Sequence, residues 1–246
     1  MVSFSAEPIF RIGFFSVTNS FLDTLLVDTL LVGLIIAINK KLALIPGFIQ
    51  NLVEMIIETF YELTQSVAGE NAIKIFPYFA SFFIFILLAN WSGLVPGLTS
   101  FGFYQNHKLV PFFRAATSDF NVTLGLALIS AVATHVISIK TIGIKEYLGR
   151  YFSLNPLNLF IGVLEIISEI TKIISLSFRL FGNIFAGEIV LGTVSTIFAF
   201  LFPIPFLMLE VIVGLIQALV FAMLTMAFMS ILTTKHHEES KEVSKV

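Results

Sequence analysis

From Leu157 to Val194 the chain runs for roughly 38 residues dominated by Leu, Ile, Val and Phe. Such a run is too long for a strand, since about 9–11 residues suffice for a strand to cross a bilayer. Comparable apolar runs cover about Phe21–Ile38, Ile75–Val95, Val122–Ile139 and Phe206–Leu232. In hydrocarbon every backbone N–H and C=O must be satisfied inside the protein, and long apolar runs achieve this as helices. Only 12% of residues are charged, about half the usual share in a soluble domain. The expected fold class is therefore an all-α membrane protein with about five membrane helices. It forms a single integral membrane domain over 1–246, with an N-terminal segment (1–20), a helical membrane region (21–232) and a hydrophilic tail (233–246).

Local pattern refines this outline. Phe48 to Val67 carries Asn51, Glu54, Glu58, Glu62 and Gln65 every three to four positions, the period of one helix face. It reads as an interfacial amphipathic helix entered through Pro46-Gly47. Pro96 to about Ser118 reads as a polar loop. At about 1.5 Å per residue, the 38-residue stretch would extend about 57 Å, against a hydrocarbon core of about 30 Å. It must incline steeply or extend beyond the core, and with the last apolar run it forms a long, strongly tilted hairpin. With the N-terminus outside, Lys40, Lys41, Lys74, Lys140, Lys145, Arg150, Lys235, Lys241 and Lys245 fall inside, while Arg11, Lys108 and Arg114 fall outside. The positive-inside rule thus favours an outer N-terminus and a cytoplasmic C-terminus. No basic segment precedes a short apolar one at the start, so a cleaved signal peptide is not expected. The chain has no cysteine, which excludes disulfides and thiol chemistry.

Arg179 lies near the middle of the longest run. Arg at the centre of a membrane helix costs about 2.5–3.5 kcal/mol even on lenient scales, and such residues usually face protein or a water-filled path. On a helix turning about 100° per residue, Lys172 falls near 20° from Arg179, Glu165 and Asn183 near 40°, and Glu169 near 80°. Ser175, Gly182 and Ala186 share that face, whose small residues allow a neighbouring helix to approach closely. Glu188 falls about 180° away, and Glu210 and Gln217 share one face of the last run. Carboxylates thus flank the arginine toward both ends, suggesting two polar paths separated by a positive barrier.

The run Ser175-Leu-Ser-Phe-Arg179-Leu-Phe-Gly-Asn183-Ile-Phe-Ala-Gly-Glu188 resembles the signature of subunit a of F-type ATP synthases. Trp91-Ser-Gly-Leu-Val-Pro96, Asp119-Phe-Asn-Val-Thr-Leu124 and Ile216-Gln-Ala-Leu-Val-Phe-Ala222 extend the resemblance over most of the chain from about residue 40. The resemblance implies a stator subunit facing a rotating c-subunit ring, alongside peripheral-stalk b subunits and other synthase subunits. It makes Arg179 the residue that attracts ring carboxylates and blocks short-circuiting. Asn183 and Gln217 match polar neighbours of that arginine. Glu188 and Glu210 match outer proton-path positions, where the family varies between Glu and His; Glu165 matches an inner-path carboxylate. Glu169 joins the inner path by helical geometry and sequence neighbourhood. The implied setting is a multi-pass protein of the cell inner (plasma) membrane, with a bacterial or an organellar origin both open.

Plainer readings stand beside these. Glu169 and Lys172 form either an ion pair or part of a path, and Asp119 either caps a helix or lines a vestibule. His107 and His135 appear isolated, and His236-His237 lies in the tail, so no metal site is expected. No Gly-rich phosphate loop is present, so nucleotide catalysis, a cofactor and nucleic-acid binding are not expected of this chain. The competing function is a self-contained ion-coupled secondary transporter, which calls for repeats and paired broken helices; neither is visible. A purely structural membrane scaffold leaves the polar residues of the last two runs unexplained.

Overall fold

The computed structural model describes residues 7–12, 15–40, 43, 46–95, 97, 101–105, 108–151, 156–197 and 203–234. The tail from Lys235, with His236 and His237, lies outside the described residues, as do His107 and Lys41. The helices are α1 (Asn19–Lys40), α2 (Phe48–Ala68), α3 (Ala72–Ser92), α4 (Phe120–Ile142), α5 (Ile144–Tyr151), α6 (Pro156–Ile197) and α7 (Pro203–Thr233).

Among the described residues, four helical stretches are long and apolar enough to cross a membrane: Asn19–Lys40, Gln50–Ser92, Phe120–Ile142 and Pro203–Thr233. The second is not one rod. Gly69 has φ +53°, a left-handed conformation that glycine adopts without a Cβ clash. The chain reverses there, so Phe60 of α2 packs on Phe79 and Phe83 of α3, with ring centroids 5.5 and 4.8 Å apart. α3 is the more apolar arm, while α2 leaves Asn51, Glu54, Glu58 and Glu62 exposed, as its amphipathic pattern predicts. α6, at 42 residues, is about 63 Å long, twice the thickness of the hydrocarbon core.

α7 is the hub, packing on α3, α4, α6 and α2. Its buried Gly214, Ala218 and Ala222 bring neighbouring backbones close. In lipid, dispersion across such close contacts holds helices together, because the tails are as apolar as the side chains. Ile75, Phe79, Ile86, Leu180, Phe221, Met226 and Met229 fill the shared core.

Polar side chains fasten the same contacts. Asn90 donates to the Gly214 carbonyl at 2.9 Å and accepts from the Thr117 hydroxyl at 2.7 Å. The Trp91 indole donates to the Val211 carbonyl, 3.1 Å away. α4 is tied to α7 through Ser130 and Thr225 (2.8 Å), and by Ser138 donating to the Leu232 carbonyl (2.6 Å). Asp23 of α1, fully buried, accepts from the Ser92 hydroxyl (2.7 Å) and the Ala116 N–H (2.9 Å). Asp119 caps α4 by accepting from the Asn121 N–H at 2.9 Å, which favours the capping reading.

Two short antiparallel hairpins depart from the expected irregular segments. β1 (Pro8–Ile12) pairs with β2 (Phe15–Thr18), and β3 (Gly102–Gln105) with β4 (Lys108–Pro111). The second occupies the polar segment after α3, and a buried 3-10 turn at Ala116–Ser118 then leads into α4. Asn90→Ala should lower the thermal unfolding midpoint of the detergent-purified assembly. Its loss leaves the buried Thr117 hydroxyl without its acceptor, at about 1–3 kcal/mol, and removes the clasp on the Gly214 carbonyl.

Candidate functional site

Three polar stations line α6 and its neighbours. At the middle one, Arg179 is exposed. Among the described residues its only hydrogen bond is a long one, 3.4 Å, to the Ser175 hydroxyl. It lines an open groove of about 420 Å³ with Leu164, Ile167, Ser168, Thr171, Lys172, Ser175 and Leu176 of α6, and Leu224 and Phe228 of α7. The expected sharing of one face by Lys172, Ser175 and Arg179 is therefore realised. One turn further, Asn183 donates to the Gln217 Oε1 at 2.7 Å. Gln217 is only 4% exposed, so this bond ties the arginine's face of α6 to the α7 interior.

At the second station Glu188 meets Arg114. Arg114 Nε lies 3.1 Å from one Glu188 oxygen, and Nη2 lies 3.1 Å from the other. This fork matches a carboxylate closely. Arg114 is 5% exposed, and its guanidinium carbon is 6.0 Å from the Phe185 ring centroid. In the sequence Arg114 reads only as a loop cation. Glu210, 7% exposed, sets its carboxyl against Gly187, where a Cβ would collide with it. The glycine before Glu188 thus makes room for the acid from α7, and the two outer acids of the sequence reading converge.

The third station lies on the earlier part of α6. Glu165 pairs with Arg150 of α5 at 2.7 Å, and Glu169 with Lys172 at 2.8 Å. Lys172 Nζ sits 4.5 Å from the centre of the Phe228 ring. The ion-pair reading of Glu169 and Lys172 is thus realised, on the wall of the groove that Arg179 shares. His135 is not isolated. Its Nδ1 is 2.9 Å from the Tyr147 hydroxyl, and its Nε2 is 4.0 Å from Glu169. His135 stands on α4 and these partners come from α5 and α6, so spacing within one helix gives no sign of them.

Among the described residues the middle station is a cation without a matched anion, and acids stand toward both ends of the same helix. Residues 21–230 match the family model described as ATP synthase A chain. The chain belongs to that family. It is 31% identical to the ATP synthase subunit a of Moorella thermoacetica over 222 residues, covering 90% of this chain and 94% of that protein. Identity to the subunit a of Syntrophobacter fumaroxidans is 37% over 209 residues, covering 83% and 80%. For that of Geotalea uraniireducens it is 36% over 208 residues, covering 83% of each. As a subunit a, the chain is a multi-pass membrane component of the F-type ATP synthase, with other synthase subunits as its partners.

Arg114→Ala should destabilise this subunit a more than the double variant Arg114→Ala/Glu188→Ala does. The single change strands a half-buried carboxylate, and coupling of about 0.5–3 kcal/mol is usual for contacting charges. Thermal midpoints of the four combinations measure it.

Proposed function

We propose that the chain is the non-catalytic stator subunit of a rotary F-type ATP synthase, offering two offset proton half-channels to a ring of c subunits. The observation that carries this reading is Arg179: exposed on a long apolar helix, lining an open groove, with only a 3.4 Å contact to Ser175 among the described residues. A guanidinium so placed calls for an anion from outside the chain, and a ring carboxylate supplies one. Arg suits this role better than Lys because it stays protonated when poorly solvated.

The acids then divide by side. Glu188 and Glu210 serve the outer half-channel, with Asn183 and Gln217 setting the surroundings of the arginine. Glu165 and Glu169 serve the inner half-channel. A proton entering from one side neutralises a ring carboxylate, rides around the ring and leaves on the other. Arg179 attracts each carboxylate after it has discharged and bars direct passage between the paths. Each elementary charge crossing 100 mV releases about 2.3 kcal/mol, which the ring passes on as rotation and ATP synthesis. Peripheral-stalk b subunits hold the stator against the torque. The setting is the cell inner (plasma) membrane, with the N-terminus outside and the C-terminus cytoplasmic, supported by the nine-to-three division of basic residues.

In inverted vesicles, complexes with Arg179→Ala should assemble yet pump no more protons on ATP addition than uncoupled vesicles; normal pumping sinks this reading. Glu188→Gln and Glu210→Gln should each slow proton flux more than they reduce assembly, measured by quenching of a pH-sensitive dye and by subunit recovery. Parent-level flux in both would remove the two acids from the outer path.

A further inference from the structure

His135 is the one imidazole among the described residues, and three helices build its surroundings. Tyr147 of α5 contacts Nδ1 at 2.9 Å, while Nε2 faces Glu169 of α6 at 4.0 Å. Glu169 accepts from Lys172 Nζ at 2.8 Å, and Lys172 lines the groove that contains Arg179. The remaining titratable and charged groups here are Tyr151, in ring contact with Tyr147 at 5.3 Å, and the Glu165–Arg150 pair. Burial holds the Tyr151 phenol well above its ordinary value, so it keeps its proton. The only charged residue of α7, Glu210, belongs to the opposite station. A sequence of polar groups, with one 4.0 Å step between Glu169 and His135, therefore runs from the arginine's groove through Lys172, Glu169 and His135 to Tyr147.

We propose that His135 is a proton-relay residue between Glu169 and the aqueous side reached through Tyr147, an inference that rests on the half-channel reading. Imidazole takes up and releases protons near neutral pH, and its two nitrogens are distinct. In the outward-bound step from the groove, Nε2 accepts the proton leaving the Glu169 carboxyl. Nδ1 gives its own proton to the Tyr147 oxygen, and the Tyr147 hydroxyl proton passes to water. The ring is left neutral in the other tautomer and resets by exchange with that water. One proton moves and only N–H and O–H bonds change. The 4.0 Å gap to Glu169 is of a size that a bridging water or a small side-chain rotation closes. A purely structural histidine would need only one hydrogen bond to Tyr147, which a glutamine can also make.

The test uses the complete ATP synthase in proteoliposomes, comparing the parent with His135→Gln, His135→Ala and Tyr147→Phe. A positioned acid–base group commonly contributes about 10²–10⁴-fold, and with water as a parallel carrier both His135 variants should lose about tenfold in ATP-driven pumping. Free imidazole should restore the His135→Ala complex, because the vacated space readmits the ring, and should leave His135→Gln unchanged. Parent-level pumping by His135→Gln, or failure of imidazole to restore an assembled His135→Ala complex, overturns the relay. If neither His135 variant assembles, Tyr147→Phe decides: it keeps the ring packing, and an unchanged pumping rate overturns the proposal while slowed pumping supports it. Arg179→Ala separates the two levels. Pumping by that variant overturns the half-channel reading itself, whereas its loss beside normal His135 variants overturns only the relay.

Discussion

A charge within hydrocarbon must find a counter-charge, a hydrogen bond or water, and the arrangement of α6 follows from how its five charged residues meet that demand. Glu165, Glu169, Lys172 and Glu188 all find partners within the chain, from α5, from α6 itself and from the segment before α4. Among the described residues Arg179 finds only a distant serine. The packing of α7 on α3, α4 and α6 makes this division possible, because it holds the middle of α6 through Asn183–Gln217 and Glu210 against Gly187 while leaving the arginine's face open. Close packing of Gly214, Ala218 and Ala222 and the clasps at Asn90, Ser130 and Ser138 supply the rigidity that an exposed cation cannot.

The stations differ in chemistry as well as position. Around Glu188 the surroundings are close and forked, with Arg114 gripping both oxygens and Glu210 seated against a glycine. Around Glu169 they are looser, with a lysine at 2.8 Å and an imidazole at 4.0 Å, the imidazole in turn meeting the Tyr147 phenol. Between them, Asn183 and Gln217 form a neutral bridge. Acids thus sit in charged surroundings at both ends, while the arginine's nearest polar neighbours are neutral.

Much of this was legible in the sequence wherever a single helix carried it. Lys172, Ser175 and Arg179 share a groove because the helical period brings them to one face, and the same period aligns Glu210 with Gln217. Apolar runs marked the helices because hydrocarbon leaves few other ways to satisfy a backbone. Contacts set by tertiary packing were not legible. Arg114 and Glu188 are 74 positions apart, and Tyr147 reaches His135 only because α5 folds back beside α4. Arg150 looked like a loop cation, yet it ends a short helix and grips Glu165. The hairpin at Gly102–Pro111 left no clear alternation, being short and containing Gly, Asn and His.

The length of α6 has a further effect. A helix of about 63 Å kept within a layer about 30 Å thick travels farther sideways than it travels through. Every turn between Glu165 and Glu188 therefore adds lateral as well as vertical distance. In the proposed stator role, a helix so inclined brings the two acids to the ring at different points on its circumference. Helix length alone then converts depth in the membrane into an angle of rotation.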